Sequence, residues 1–246
     1  MAYFSEDDIQ ALASDNLKDK MRVQQHFLGL HKMIYKHLQD NDFDLTITKP
    51  MASAVHSETV SHHSDNSTLA IQYMRKREQA VPVERLMGRE GVVSVNNIIT
   101  RLHPVIEMRL SDTGFAIEFI ISPDAWYDQQ NAQGKLTVPR HRQEFYSIIA
   151  NLDETHYMGF WQGTHLSDMT LNGKFFPHTR ILNEWLSTFH PNADWFRIGK
   201  WYALDDEALS SDRIVAELIE QFEVLYPIYR FFLWTSGNNF REFGDS

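Results

Sequence analysis

The stretch VIEMRLSDTGFAIEFII, residues 105–121, constrains the fold more than any other part of the chain. Apolar and polar residues alternate on either side of a Ser-Asp-Thr-Gly turn, which is the pattern of a β-hairpin. Ile106, Met108 and Leu110 share one face of the first strand, and Phe115, Ile117 and Phe119 share one face of the second. Matching those faces sets Leu110 opposite Phe115, with Asp112 and Thr113 central in the turn. The same register sets Glu107 opposite Glu118 on the other face. Directly opposite Cβ atoms lie about 4.5–5.5 Å apart, so two like charges there need a counter-charge. Arg109 is diagonal to Glu118 and can supply it. His103, expected opposite Ser122, and Arg101 extend this polar face. Glu107, Glu118, Arg109 and His103 are therefore the candidate catalytic group, if the protein is an enzyme.

Other segments fall around this hairpin. Ser5 followed by Glu6, Asp7 and Asp8 marks a capped helix start. Leu17, Met21, Phe27, Leu28, His31, Ile34, Tyr35 and Leu38 make a helical stripe. DLTITKP and TLAIQYMR have strand character. PVERLMG is expected as a short helix opening at Pro82 and ending at Gly88. PRHRQEFYSIIANL predicts a helix from Pro139, HYMGFWQG a strand, FPHTRILNEWLSTF a helix and DWFRIGKWYAL a strand. Ile214, Val215, Leu218, Ile219, Phe222, Leu225, Tyr229 and Leu233 predict a long last helix, kinked at Pro227. The stretch from Gln129 to Val138 is the best candidate for a domain boundary but is expected as a loop inside one domain, and the tail TSGNNFREFGDS as a frayed end. Helices, strands and helices follow one another without regular βαβ alternation. The expected fold is α+β: an antiparallel-rich sheet with a central hairpin (about 102–122), covered by several helices with a long C-terminal helix, in a single domain over 1–246.

Composition narrows function mainly by exclusion. The formal charge of −10 disfavours a general nucleic-acid binder. With no cysteine, disulfides, thiolate metal sites and cysteine nucleophiles are excluded. Neither a signal peptide nor a membrane-spanning run is visible, so the expectation is a cytoplasmic protein with no membrane partner. Phosphate-loop, dinucleotide-binding, GxSxG and HExxH patterns are all absent, and no cofactor is implied.

Three features invite a chemical reading. HSETVSHHSDNST, residues 56–68, offers His56, Glu58, His62, His63 and Asp65, the atom types zinc prefers. Neighbours such as His62 and His63 point apart in an extended chain, so an exposed polar loop without metal is expected. His141 and Glu144 occur once, in the reverse order of a carboxylate-bridged metal motif, and are read as a surface pair. In DWFRIGKWYAL, Trp195, Arg197 and Trp201 share a face with Gly199, which leaves a notch between rings and guanidinium suited to a planar or sugar-like ligand. On this strand Lys200 interrupts the apolar face without explanation. The acidic run Asp205, Asp206, Glu207, Asp212, Glu217, Glu220 and Glu223 is read as a solvated face, and YPIYRFFLW as core. Two functions fit: a non-catalytic protein binding a small ligand or a protein partner, or an enzyme doing acid–base or metal-assisted chemistry at the carboxylate/Arg/His group.

Overall fold

A computed structural model describes residues 1–60 and 67–240. Its elements run α1 (Glu6–Ala13), α2 (Leu17–Asp40), β1 (Thr46–Ile47), β2 (Leu69–Met74), α3 (Arg77–Glu84), β3 (Val105–Ser111), β4 (Gly114–Ile121), α4 (Trp126–Thr137), α5 (Pro139–Ile149), β5 (His156–Gly159), β6 (Thr170–Asn172), α6 (Thr179–Leu186), β7 (Phe196–Tyr202) and α7 (Ile214–Phe232). The strands form one antiparallel sheet in the order β1-β2-β3-β4-β7-β5-β6. The fold is α+β, with the hairpin at its centre. No helix among the described residues is long and apolar enough to cross a membrane.

The hairpin has the register its alternation demands: Leu110 faces Phe115, Glu107 faces Glu118, and Ser111 faces Gly114 across the Asp112–Thr113 turn. Gly114 holds φ +127°, and a Cβ there would lie 2.2 Å from the Tyr202 carbonyl oxygen, so only glycine suits the position. One sheet face is apolar. Ile71, Tyr73, Ile106, Met108, Phe115, Ile117, Phe119 and Ile198 are fully buried on it, with α2 and α7 packed above. Phe222 of α7 meets Tyr73 edge-on at 4.9 Å, and Tyr229 meets Phe119 edge-on at 6.2 Å. Lys200 lies on this same face. Its Nζ donates to Glu217 Oε1 at 2.9 Å, and the Tyr202 hydroxyl donates to the same oxygen at 2.6 Å. Glu217 is therefore half-buried in a polar contact with the sheet rather than part of a fully solvated acidic face.

Further sequence expectations change. The helix at PVERLMG begins earlier, at Arg77, and runs through Pro82 before a wide turn over Arg85–Arg89. Gly88 does mark the break, with φ +91°. The stretch expected as a loop from Gln129 to Val138 is most of α4. Its inward face is polar: Asp128, Gln129, Asn131 and Lys135 are all buried. Each meets fixed partners. Asp128 accepts from Arg75 at 2.5 Å and from the Trp234 backbone N–H at 2.6 Å. Gln129 donates to the Ser122 and Asp194 carbonyls. Lys135 donates to the Phe231 carbonyl at 2.8 Å and to Asn238 Oδ1 at 2.5 Å. A helix stitched inward by polar groups has no hydrophobic period to read. The same bonds hold the chain up to Phe240, whose ring lies over Gly134, so Thr235–Phe240 is a packed segment and not a frayed one. Residues 241–246 lie outside the described region.

Candidate functional site

The other face of the sheet is polar at its centre. Cross-strand pairing sets Gln72, Glu107, Glu118, Gly199 and Tyr157 in one row. Ala70, Arg109, Ala116 and Trp201 form the row on one side of it, and Val105, Ile120, Arg197 and Gly159 the row on the other. Strand geometry alone thus gathers two glutamates and two arginines, because residues opposite each other share a face. Gly199 opens the room. A Cβ there would lie 2.7 Å from Glu118 Cα and 3.0 Å from its Cγ.

The charges form a closed network. Arg109 donates to Glu107 Oε1 at 3.0 Å and to Glu118 Oε2 at 2.6 Å. Arg197 donates through Nε to Glu118 Oε1 at 2.8 Å and through a terminal nitrogen to Oε2 at 2.6 Å, a bidentate grip. Glu107 Oε2 accepts from the Val60 N–H at 3.0 Å and from Gln72 at 2.9 Å. All four charged side chains are at most 1% exposed. Burial lowers the Arg197 pKa, and Glu118 acts against that fall. At Arg109 burial acts the same way, but the two glutamates outweigh it and its pKa is raised. The two negative and two positive charges balance.

Loops, not helices, roof this face. Arg109 donates to the Thr164 carbonyl at 3.2 Å and Arg197 to the Gly163 carbonyl at 2.5 Å, which ties down the segment after β5. From the same segment Trp161 covers the Arg197 guanidinium at 4.6 Å, with Trp201 at 5.7 Å on the same group. On the other side the chain from His56 to Val60 lies on β2 and β3. His56 and Ala70 exchange backbone hydrogen bonds, and Gln72 donates to the Glu58 carbonyl. The first part of the histidine-rich stretch is therefore packed on the sheet, with Thr59 buried, and is not an exposed loop. His62, His63 and Asp65 lie outside the described residues. Among those described, no group of three metal-ligating side chains converges.

The sequence-derived candidates divide between three places. Glu107, Arg109, Glu118 and Arg197 come together. His103 does not join them, because the strand pairing ends at Val105. Its ring instead bonds Glu84 at 3.1 Å, and Glu84 also accepts from Arg89 and from the Ile99 N–H. Burial, then Arg75, lowers the His103 pKa to about 3. Trp201 belongs to the roofed cluster, whereas Trp195 sits at its end. There it packs against Met74, Ala80, Val105 and Ile120 and walls a cleft of about 290 Å³. Thr59 and Val60 from one loop and Gln162 from the other share that cleft with Arg101, Ser122 and Asp124. The Trp195 indole N–H is buried and finds no acceptor among the described residues. Trp161, Val60 and Gln72 were not legible as site residues. Their role comes from loops folding over a distant strand, and no local period announces that. His141, read as a surface residue, is buried, with Glu144 3.1 Å away.

Glu107, Arg109 and Glu118 line none of the larger clefts. A roomier cleft, about 640 Å³, lies elsewhere, around the end of α7, with Asp44, Lys135, Glu144 and Tyr226 among its walls. The chain matches no protein-family model and no curated protein.

Proposed function

We propose that this protein is a non-catalytic binder of a small ligand, and that the ligand seats in the cleft beside Trp195. The observation that carries this reading is the pairing of two neighbours on one sheet face. The Glu107/Arg109/Glu118/Arg197 layer has its carboxylates saturated and is closed to solvent, which leaves no carboxylate ready to move a proton. The adjoining cleft has an aromatic wall and a buried N–H donor without a partner. Buried donors in native proteins are almost always satisfied, so an orphan in a cleft wall favours a ligand acceptor there. The chemistry fits a planar molecule carrying a carbonyl or ring-nitrogen acceptor that meets the indole N–H in the plane of the ring, edged by Gln162 and the Arg101–Asp124 pair. In this account the charged layer is scaffold: it fixes both loops that frame the cleft. The test is ligand-observed NMR with a set of carbonyl-bearing heterocycles against the wild type and Trp195→Phe. Hits that bind the wild type and lose about tenfold in affinity with phenylalanine support the reading. Hits of equal affinity for both proteins, or none, contradict it.

A further inference from the structure

A cleft of about 250 Å³ opens between α4, α5 and α6, on the apolar face of the sheet and so across it from Trp195. Its floor is aromatic. Phe196 and Phe232 are each 1% exposed with their rings 4.6 Å apart, and Phe189 meets Phe196 edge-on at 5.8 Å. Leu136 and Leu186 close the sides. A further ring entering there gains both apolar burial and edge-to-face contact. The rim carries donors and one charge. Arg142 is partly buried in the wall, and its guanidinium has no ion pair or hydrogen bond among the described residues. Tyr146 donates to Asn183 Oδ1, which leaves both Asn183 Nδ2 protons free. Burial raises the Tyr146 pKa and the Arg142 charge opposes it, so the guanidinium stands near this Tyr–Asn pair. None of the described lining residues is acidic. In a chain of net charge −10, a guanidinium left without a carboxylate on an acid-free wall is the unusual feature. A planar cation with several donors, an amide beside it and an aromatic floor below match a carboxylate on an apolar, ring-bearing body.

We infer that this cleft binds a small aryl carboxylate, its carboxylate accepting from Arg142 and Asn183 and its ring lying on Phe196 and Phe232. The site shares no lining residue with the Trp195 cleft and stands or falls independently of it. The probe is 3-phenylpropionate, titrated into full-length isotope-labelled protein and followed by ¹H–¹⁵N NMR, with 3-phenylpropanol and 3-phenylpropylamine as controls. The expected result is a saturable shift at the Arg142 Nε–H and the Asn183 side-chain amide, at an affinity at least about tenfold above that of either control. Arg142→Met removes a charge that has no partner in the fold to lose. It should bring the carboxylate down to the affinity of the alcohol and leave the alcohol unchanged, whereas a merely apolar cleft would treat the two alike. Gln133→Glu, at an exposed lining position and of nearly equal volume, places a like charge at the mouth. It should weaken the carboxylate by about fivefold or more, and it decides the question if Arg142→Met does not fold. No saturable shift at Arg142, alcohol binding equal to that of the carboxylate, or wild-type carboxylate affinity in either variant would overturn the assignment.

Discussion

Replacing Glu118 with glutamine tests the buried charge layer most severely. The wild-type carboxylate takes three charge-assisted hydrogen bonds of 2.6 to 2.8 Å from two guanidinium groups. Glutamine keeps the volume, removes the charge and turns an amide N–H₂ toward a donor. Arg109 retains Glu107, but Arg197 loses the charged, bidentate grip and is left with the Gly163 carbonyl and a single neutral amide oxygen. The layer passes from balanced to a net positive charge at no more than 1% exposure. Leaving one partner of a buried pair uncompensated costs about 3–5 kcal/mol. For a chain of this size each kcal/mol moves the midpoint by about 2–4 °C, so thermal unfolding should fall by about 6–20 °C. Urea unfolding followed by circular dichroism gives the same quantity at constant temperature. Glu118→Leu with Arg197→Met should recover most of the loss, because an apolar pair of similar volume removes both charges together. A Glu118→Gln protein within about 1 kcal/mol of wild type would refute the reasoning, since it would mean that water or a counter-ion already compensates the layer.

Further outcomes are expected. Gly199→Ala should destabilise by about 1–3 kcal/mol, since its methyl would meet the Ile117 carbonyl at 2.2 Å and Glu118 Cα at 2.7 Å, and a urea midpoint equal to wild type would be inconsistent with that packing. Phe222→Ala should cost about 3–5 kcal/mol, as the ring is fully buried against Tyr73. His31 is buried with Nδ1 2.7 Å from the Tyr73 hydroxyl, and burial, then Lys32, lowers its pKa to about 4. The unfolded chain then binds the proton first as pH falls below about 6.5, so stability declines from there toward pH 4, and His31→Phe should make that part of the profile measured by urea titration shallower, with His56 and His103 supplying the rest of the slope. A slope unchanged in the variant would remove His31 from the account.

Much of the polar site was legible because it is a product of register. Once Leu110 is set opposite Phe115, Glu107 must face Glu118 and Arg109, two residues along from Glu107, must lie diagonal to Glu118, and no tertiary information is needed. The alternation in the strand around Arg197 likewise put Trp201 and Gly199 on one face. What the sequence hid was long-range. The pairing of β7 with β4 has no local signature, so the bidentate ion pair between Arg197 and Glu118 was out of reach. Neither was there any way to see that Trp161 would cap Arg197, or that Val60 would donate to Glu107, since both arrive on irregular loops. Helix α4 was missed for a different reason: Asp128, Gln129, Asn131 and Lys135 bury polar atoms, and a pattern reader counts such residues as solvent-facing. Lys200 looked anomalous only because its partner Glu217 lies on the last helix.

The central claim is that ligand recognition belongs to the Trp195 cleft and that the arginine–carboxylate layer beside it is scaffold. The most direct measurement is a protein-observed ¹H–¹⁵N map of the isotope-labelled wild type during titration with an acceptor-bearing heterocycle. The account predicts saturable changes at the Trp195 indole N–H and at the Val60 and Gln162 amides, with the Arg109 and Arg197 side-chain signals holding their positions. Changes centred on Arg109 and Arg197, with the Trp195 indole unmoved, would contradict it.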